Sequence, residues 1–154
     1  MQGAFSLMVF GWSQILMDLQ PLYVMLRGEG ELHGFSHTCL GAALIAPVAM
    51  VSGKYLGELG LRILHLESFN PISWKVAGVS ALIGTFSHVL IDTVMHADMR
   101  PLYPFSDTAP FHGSLSISTL HLLCLGLGIM GSAIYGFLVW QRGQSNSRDS
   151  KPDA

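Results

Sequence analysis

The stretch Ser87–Asp107, SHVLIDTVMHADMRPLYPFSD, decides the fold and the candidate site of this chain. It begins inside an apolar run, residues 76–95, that is long enough to span a membrane as a helix. His88, Asp92 and His96 follow one another at intervals of four residues, which would place them on one face of a helix. An ionisable group at membrane depth costs roughly 2.5–3.5 kcal/mol on insertion scales and is usually retained for function. The sequence therefore predicts a stripe of ligands on a membrane helix.

The composition of the whole chain is typical of a membrane protein. Half of its 154 residues are hydrophobic and 12% are charged, whereas ordinary soluble domains carry about 25% charged residues. The net charge of −2, without a basic run outside the short carboxyl-terminal tail, gives no reason to expect a nucleic acid as partner. Cys39 and Cys124 lie in apolar runs and are interpreted as small core residues.

These patterns predict an all-α integral membrane protein with about four transmembrane helices and one interfacial amphipathic helix. Pro21 is expected to kink or end the first helix. Charged residues at helical spacing within residues 53–70 predict the helix at the interface. A single helical membrane domain is expected over residues 1–141, with residues 142–154 as a polar disordered tail. The four spans are predicted at residues 4–25, 33–52, 76–96 and 117–140.

The distribution of Lys and Arg predicts the orientation of these spans. Six of them would lie on one side, and only Arg27 and Arg100 on the other. By the positive-inside rule, both termini are then expected in the cytoplasm. The unusual ionisable residues should meet near the opposite face, although the charge count made no use of them: Asp18, His33, His37, His88, Asp92 and His96.

Two pairs of possible ligands with a spacing of four residues predict a metal site. His33 and His37 form one pair, His88 and Asp92 form the other, and Asp18 is expected to bridge or complete the set. Imidazole and carboxylate ligands suit zinc, with manganese or iron as alternatives. The plainer alternative is that each His is satisfied by a carbonyl of a neighbouring helix. Two such pairs and an acid at one face favour a shared divalent ion.

Three further residues have more than one interpretation. His96 and Asp98 are predicted to carry a proton during catalysis, with exposure at the end of the helix as the alternative. His121 is expected either to donate a hydrogen bond to a ligand carboxylate or to be packed. The sequence carries no nucleophile elbow or phosphate-binding loop, so water activated by a metal ion is the favoured nucleophile.

These motifs together resemble a known family, the membrane-bound metal-dependent hydrolases, which are also described as LexA-binding inner-membrane hydrolases. The resemblance covers roughly residues 12–107 and includes an Asp, an H-x-x-x-H motif, an S-H-x-x-x-D motif and the segment P-L-Y-P-F. It implies a bacterial inner-membrane protein, distantly similar to zinc-dependent phospholipase C. It also implies that the metal ligands are Asp18, His33, His37, His88 and Asp92.

The sequence departs from the family pattern at three points. The acidic motif reads M-D-L-Q, so that no second acid follows Asp18. Gly34 stands where the family has Arg. Family members also carry a His near the amino terminus, whereas none precedes His33 here. We therefore expect either a start upstream of Met1 or a smaller number of bound ions.

Three functions are compatible with these features. The first is hydrolysis of a phosphoester or related bond in a membrane lipid or a small amphiphile. The second is transport of a divalent metal ion or a proton, because carriers also bind ions with polar groups on membrane helices. The third is a non-catalytic metal site that only holds helices together. A face of small residues at Gly128, Ser132 and Gly136 would also permit a homodimer.

Overall fold

A computed structural model describes residues 4–149, and of residues 67, 139 and 142–149 it describes the backbone alone. Within this part of the chain the structure is all-helical, without strands. Short 3₁₀ turns lie at Phe35–His37 and Glu67–Phe69. The four helices are α1 (Leu7–Arg27), α2 (Cys39–Ile63), α3 (Trp74–Met95) and α4 (Ile117–Asp149).

The helix boundaries follow from local capping. The Thr38 hydroxyl accepts a hydrogen bond from the amide of Gly41 and starts α2, and Ser73 caps α3 in the same way. Gly28 ends α1 in the left-handed region, with φ of 72°. Pro21 was expected to kink or end the first helix; α1 does not end there but runs through it to Arg27. A proline within a helix near a membrane is tolerated when neighbouring groups satisfy the freed carbonyl.

Three helices among the described residues are long and apolar enough to cross a membrane: α2, α3 and Ile117–Leu138 of α4. This supports the prediction of a membrane protein but gives one such helix fewer than predicted. The remaining helix, α1, has 21 residues and is less apolar because it includes Gln14, Asp18 and Gln20.

Two other predictions about helix extent are corrected by the structure. The separate interfacial helix over residues 53–70 is wrong, because residues 53–63 continue α2 without a break. The predicted start of a disordered tail at residue 142 also differs, since the backbone of α4 remains helical to Asp149. Residues 150–154 lie outside the described part of the chain.

The chain divides into two compact units, Met1–Ser114 and Leu115–Ala154. In the first unit α1, α2 and α3 pack against one another in pairs. Small residues allow close approach: a Cβ atom at Gly84 of α3 would lie 1.8 Å from the Ser13 hydroxyl of α1. The indole of Trp12 also donates a hydrogen bond to Ser52 of α2 at 2.8 Å. The second unit contains α4, whose apolar side chains are mostly exposed.

Lys54 is buried, with 9% of its surface exposed, in the part of α2 that was predicted to lie at the interface. Its ammonium group pairs with Glu58 and donates a hydrogen bond to the Ile72 carbonyl at 2.7 Å. Glu58 in turn accepts a hydrogen bond from the Ile72 amide at 3.0 Å. The ammonium also lies 5.3 Å from the ring centre of Trp74. These contacts fasten α2 to the segment that leads into α3.

Candidate metal centre

Four of the predicted ligands meet at one end of the first unit, and we call them the inner cluster: Asp18, His37, His88 and Asp92. Asp18 lies just past the middle of α1, and His37 lies in the 3₁₀ turn before α2. His88 and Asp92 are one turn apart near the end of α3. Donor atoms of the Asp18, His37 and His88 side chains all lie within 4.8 Å of one another. The three helices alternate in direction, which is why these distant positions share one end.

The distances within the inner cluster match those expected around a small ion. His88 Nε2 lies 3.1 Å from Asp92 Oδ2 and 3.3 Å from Asp18 Oδ1, and His37 Nε2 lies 3.4 Å from Asp92 Oδ2. A tetrahedral ion with bonds of about 2.1 Å holds its ligand atoms about 3.4 Å apart. A direct hydrogen bond between an imidazolium and a carboxylate would be shorter, at about 2.7–2.9 Å.

The two imidazole nitrogens that face these carboxylates are buried and lack a hydrogen-bond partner among the described residues. They are Nε2 of His37 and Nε2 of His88. A buried polar atom without a partner costs about 1–3 kcal/mol, so two in one cluster call for an explanation. A cation between these nitrogens and the carboxylates would use both lone pairs. The inner cluster therefore has the donor set and geometry to hold a metal ion.

Gln14 determines which nitrogen of His88 is free. The side-chain amide of Gln14 donates to the carbonyl of Gly84 at 3.0 Å, so its oxygen must face the other way. That oxygen lies 2.9 Å from His88 Nδ1. Because an amide oxygen can only accept, Nδ1 carries the proton and Nε2 keeps its lone pair. This is the arrangement in which outer hydrogen bonds orient metal-binding histidines.

The turn that carries His37 is held by Gln20 of α1. Gln20 Oε1 accepts a hydrogen bond from the Ser36 amide at 2.9 Å, and the Ser36 hydroxyl lies 2.8 Å from His37 Nδ1. A Cβ atom at Gly34 would lie 1.9 Å from Gln20 Nε2. Gln20 stands where the resembled family has a second acid, and Gly34 stands where it has Arg. These two departures are linked, because Gln20 occupies space that any side chain at Gly34 would need.

The remaining predicted residues form a second group, which we call the outer cluster: His33, His96 and Asp98. Donor atoms of all three lie within 4.8 Å of one another. His33 Nδ1 donates a hydrogen bond to Asp98 Oδ2 at 2.9 Å, and the rings of His33 and His96 stack with centres 4.2 Å apart. Partial burial raises the pKa of Asp98, but the hydrogen bond from His33 and the nearby imidazoles lower it more, so that its net pKa lies below the usual value.

The structure thus divides the predicted ligands differently from the sequence pattern. His33 and His37 were predicted as a pair on a helix start, but both precede α2, and His33 belongs to the outer cluster. His96 was predicted to continue the stripe of His88 and Asp92, but α3 ends at Met95. The extended backbone of His96 turns its ring toward His33. The two clusters adjoin, since the ring centres of His33 and His37 are 5.2 Å apart.

Two cavities open beside the outer cluster, and Arg100 lines both. One has a volume of about 260 Å³ and includes His33, Phe35 and Tyr103 in its lining. The other has a volume of about 480 Å³ and includes Asp98. Arg100 pairs with the carboxylate of Glu31 and lies 3.9 Å from that of Asp107.

The other three histidines, His65, His112 and His121, lie elsewhere in the chain. His121 is an exposed residue of the second unit, so its predicted role as a supporting residue stays a prediction. His65 follows the end of α2, on the opposite side from the inner cluster along that helix. His112 is exposed in the loop before α4.

Gln14 and Gln20 are functional candidates that look in the sequence like mere polar interruptions of a span. A signal was present for Gln14, because it precedes Asp18 by four residues and so shares its helix face. The side chains of Gln14 and Asp18 both contact His88. Gln20 gave no comparable signal, since its partners lie in a turn whose position depends on the tertiary fold.

Replacing Gln14 with leucine is expected to lower the affinity of the inner cluster for zinc by about 10- to 100-fold, the range typical of outer partners of metal ligands. The leucine keeps most of the volume but cannot hold the Nδ1 proton of His88. Gln14→Glu should retain most of the affinity, because a carboxylate also accepts from Nδ1. Competition with a chromogenic chelator measures both variants. Equal affinity in the leucine variant and the parent would rule out this role of Gln14.

The described residues therefore define a class: an all-helical protein with three helices long and apolar enough to span a membrane and two His/Asp clusters that could hold metal ions. No model of a known protein family matches the chain, and neither a curated protein nor a solved structure matches it.

Proposed function

We propose that this protein is a membrane-embedded, metal-dependent hydrolase that cleaves a phosphoester bond in a lipid or similar amphiphile. The observation that carries the proposal is the pair of buried Nε2 atoms of His37 and His88, which make no hydrogen bond within the described residues. They face the carboxylates of Asp18 and Asp92 at distances suited to one ion. The Asp18 side chain is 61% exposed, so one side of the cluster is open to a reactant. An open coordination position distinguishes catalytic from structural metal sites.

Zinc is the ion that the donor set favours, with manganese or iron as alternatives. Two imidazole nitrogens and carboxylate oxygens are common ligands of all three. The chemistry that such an ion supplies is polarisation of a phosphoryl oxygen and a water whose pKa falls to about 7. The protein supplies the geometry: Gln14 orients His88, and Gln20 positions the turn that carries His37.

The surroundings of the site support an amphiphilic, anionic substrate. The guanidinium of Arg100 lines the cavity beside His33 and offers a charged donor for a phosphate group. Aromatic side chains extend the same region: Phe35 and Tyr103 line the cavity. Phe105, at the end of the P-L-Y-P-F segment, is 90% exposed. Exposed aromatic residues at the end of membrane helices suit the apolar part of a lipid.

The position of the site along the helices favours hydrolysis over transport. A carrier needs a site that can be reached from both sides of the membrane. Behind the inner cluster, the space between α1, α2 and α3 is filled by buried apolar residues: Val9, Met17, Ala42, Ala49, Ala77, Ala81 and Val89.

We further infer that α1 is the fourth span and that the site faces away from the cytoplasm. α1 lies alongside both neighbours, with Ser6 bonded to Ser80 of α3 and Trp12 bonded to Ser52 of α2. It would therefore share their depth in a membrane. The positive-inside rule then places the basic end of α2, with Lys54 and Arg62, in the cytoplasm. For a bacterial protein this is the inner membrane.

Removal of metal should abolish phosphodiesterase activity of the purified protein. After treatment with a chelator, we expect no turnover of a chromogenic phosphodiester or of phospholipid in mixed micelles. Addition of zinc or manganese should restore it. Asp92→Asn should stay inactive with either metal, whereas Glu29→Gln, an exposed acid outside both clusters, should behave as the parent.

The same preparation in sealed vesicles separates hydrolysis from transport. Uptake of zinc into the vesicles without turnover of either substrate would overturn the hydrolase and support a carrier. If chelation changes neither uptake nor turnover and only lowers the melting temperature, the ion has a structural role and the proposal is wrong.

A further inference from the structure

We propose that the outer cluster is a second cation site, which takes a divalent ion next to the one in the inner cluster. Its ligands are His33, His96 and Asp98. This inference goes beyond the proposed function and does not depend on hydrolysis, because it concerns only how many ions the protein binds and where.

The arrangement of the three side chains is the first support. One donor atom from each lies within 4.8 Å of the other two, although the residues come from two separate loops. His33 Nδ1 donates a hydrogen bond to Asp98 Oδ2 at 2.9 Å, and a bound ion would replace the proton between these two atoms. Stacking of the His33 and His96 rings at 4.2 Å brings a second imidazole to the same carboxylate. Two imidazoles and one carboxylate are a common ligand set of catalytic zinc, which leaves the fourth position to water.

The balance of charge is compatible with a second ion. Five carboxylates lie in the two clusters and in the adjoining cavity: Asp18, Asp92, Asp98, Glu31 and Asp107. The guanidinium of Arg100 is the cation that contacts this group within the described residues. With neutral histidines the group carries a net charge of minus four. Two divalent ions would match this total charge, and water also screens it, because four of the five carboxylates are more than half exposed.

Access to the outer cluster is a second support. Asp98 is 56% exposed and lines the cavity of about 480 Å³, while His33 lines that of about 260 Å³. An ion and its waters can therefore reach the three ligands from solvent. The inner cluster is more enclosed, with His37 fully buried. Since the rings of His33 and His37 are in contact, the two ions would be neighbours, as in the two-metal sites of phosphatases and nucleases.

Elemental analysis of the purified protein, after dialysis against zinc and removal of excess ion, tests this assignment. We expect two zinc ions per chain in the parent. Asp98→Asn should lower the number to one, because it keeps the shape of the side chain and removes the negative ligand. Asp107→Asn removes an acid that lines the same cavity but lies outside the cluster, and should leave two ions bound.

His88→Ala provides the complementary case, since it should remove the inner ion and leave the outer one. A parent with one ion that Asp98→Asn retains would overturn the second site and leave the proposed function standing. Two ions in the Asp98→Asn variant would also overturn it. Two ions in the parent that respond as expected, without turnover of any phosphodiester, would support the second site and contradict the hydrolase. Thermal melting of each variant in detergent checks that a lost ion does not reflect unfolding.

Discussion

Replacement of His88 with alanine should reduce turnover of a phosphodiester on the order of a thousandfold, because an ion that polarises the reacting group contributes several kcal/mol. His88 is the centre of the inner cluster, since its Nε2 atom faces both Asp18 and Asp92. Without it the ion would keep one nitrogen ligand, His37. The expected result is therefore loss of the inner ion together with activity, measured as turnover at saturating zinc.

A matched control is available in His65, which lies beyond the end of α2. Its φ of 56° is left-handed, and asparagine is among the residues that tolerate this conformation. His65→Asn thus removes an imidazole without strain and should keep the activity of the parent. If His88→Ala remains as active as His65→Asn, the inner cluster is not the site of the reaction. Partial activity that rises with zinc concentration would mean weakened binding, in agreement with the proposal.

The meeting of distant residues at one end of the protein could be predicted from the sequence. Three apolar runs joined by short polar segments imply helices of alternating direction, so the end of the first, the start of the second and the end of the third share one side. His37 lies just before α2 and His88 lies toward the end of α3, while Asp18 lies just past the middle of α1, where its carboxylate is 3.3 Å from His88. The His88–Asp92 pair was also predictable, because a spacing of four residues brings side chains together wherever a helix is continuous.

The division into two clusters could not be predicted, because it depends on where helices begin and end. Thr38 caps α2, so His37 lies in a 3₁₀ turn and His33 lies before it. α3 ends at Met95, one residue before His96. Helix ends inferred from sequence are commonly displaced by a few residues. Here such a displacement moves His33 and His96 from one predicted stripe to a separate group with Asp98.

Replacement of Lys54 with alanine is expected to be the most destabilising of these changes, by about 3–5 kcal/mol, the cost of removing one partner of a buried ion pair. The sequence predicted Lys54 at the membrane interface, where its replacement would change stability little. That prediction was wrong because charged residues at helical spacing form the same pattern whether they face water or a buried partner. In the structure its loss would leave Glu58 and the Ile72 carbonyl without their buried donor. Unfolding in detergent with increasing denaturant measures the change.

Lys75 supplies the comparison, since it is exposed near the same end of the protein. Lys75→Ala should change the free energy of unfolding by less than about 0.5 kcal/mol, as surface substitutions usually do. The double variant Lys54→Met/Glu58→Leu should be more stable than Lys54→Ala, because it removes both charges together and leaves none uncompensated. If Lys54→Ala were no less stable than Lys75→Ala, the ammonium would not be buried, and α2 would instead approach the interface as the sequence first suggested. A loss confined to Lys54→Ala and relieved in the double variant would mean that Lys54 and Glu58 form a buried pair on α2, which contacts the segment leading into α3 at the end opposite the inner cluster.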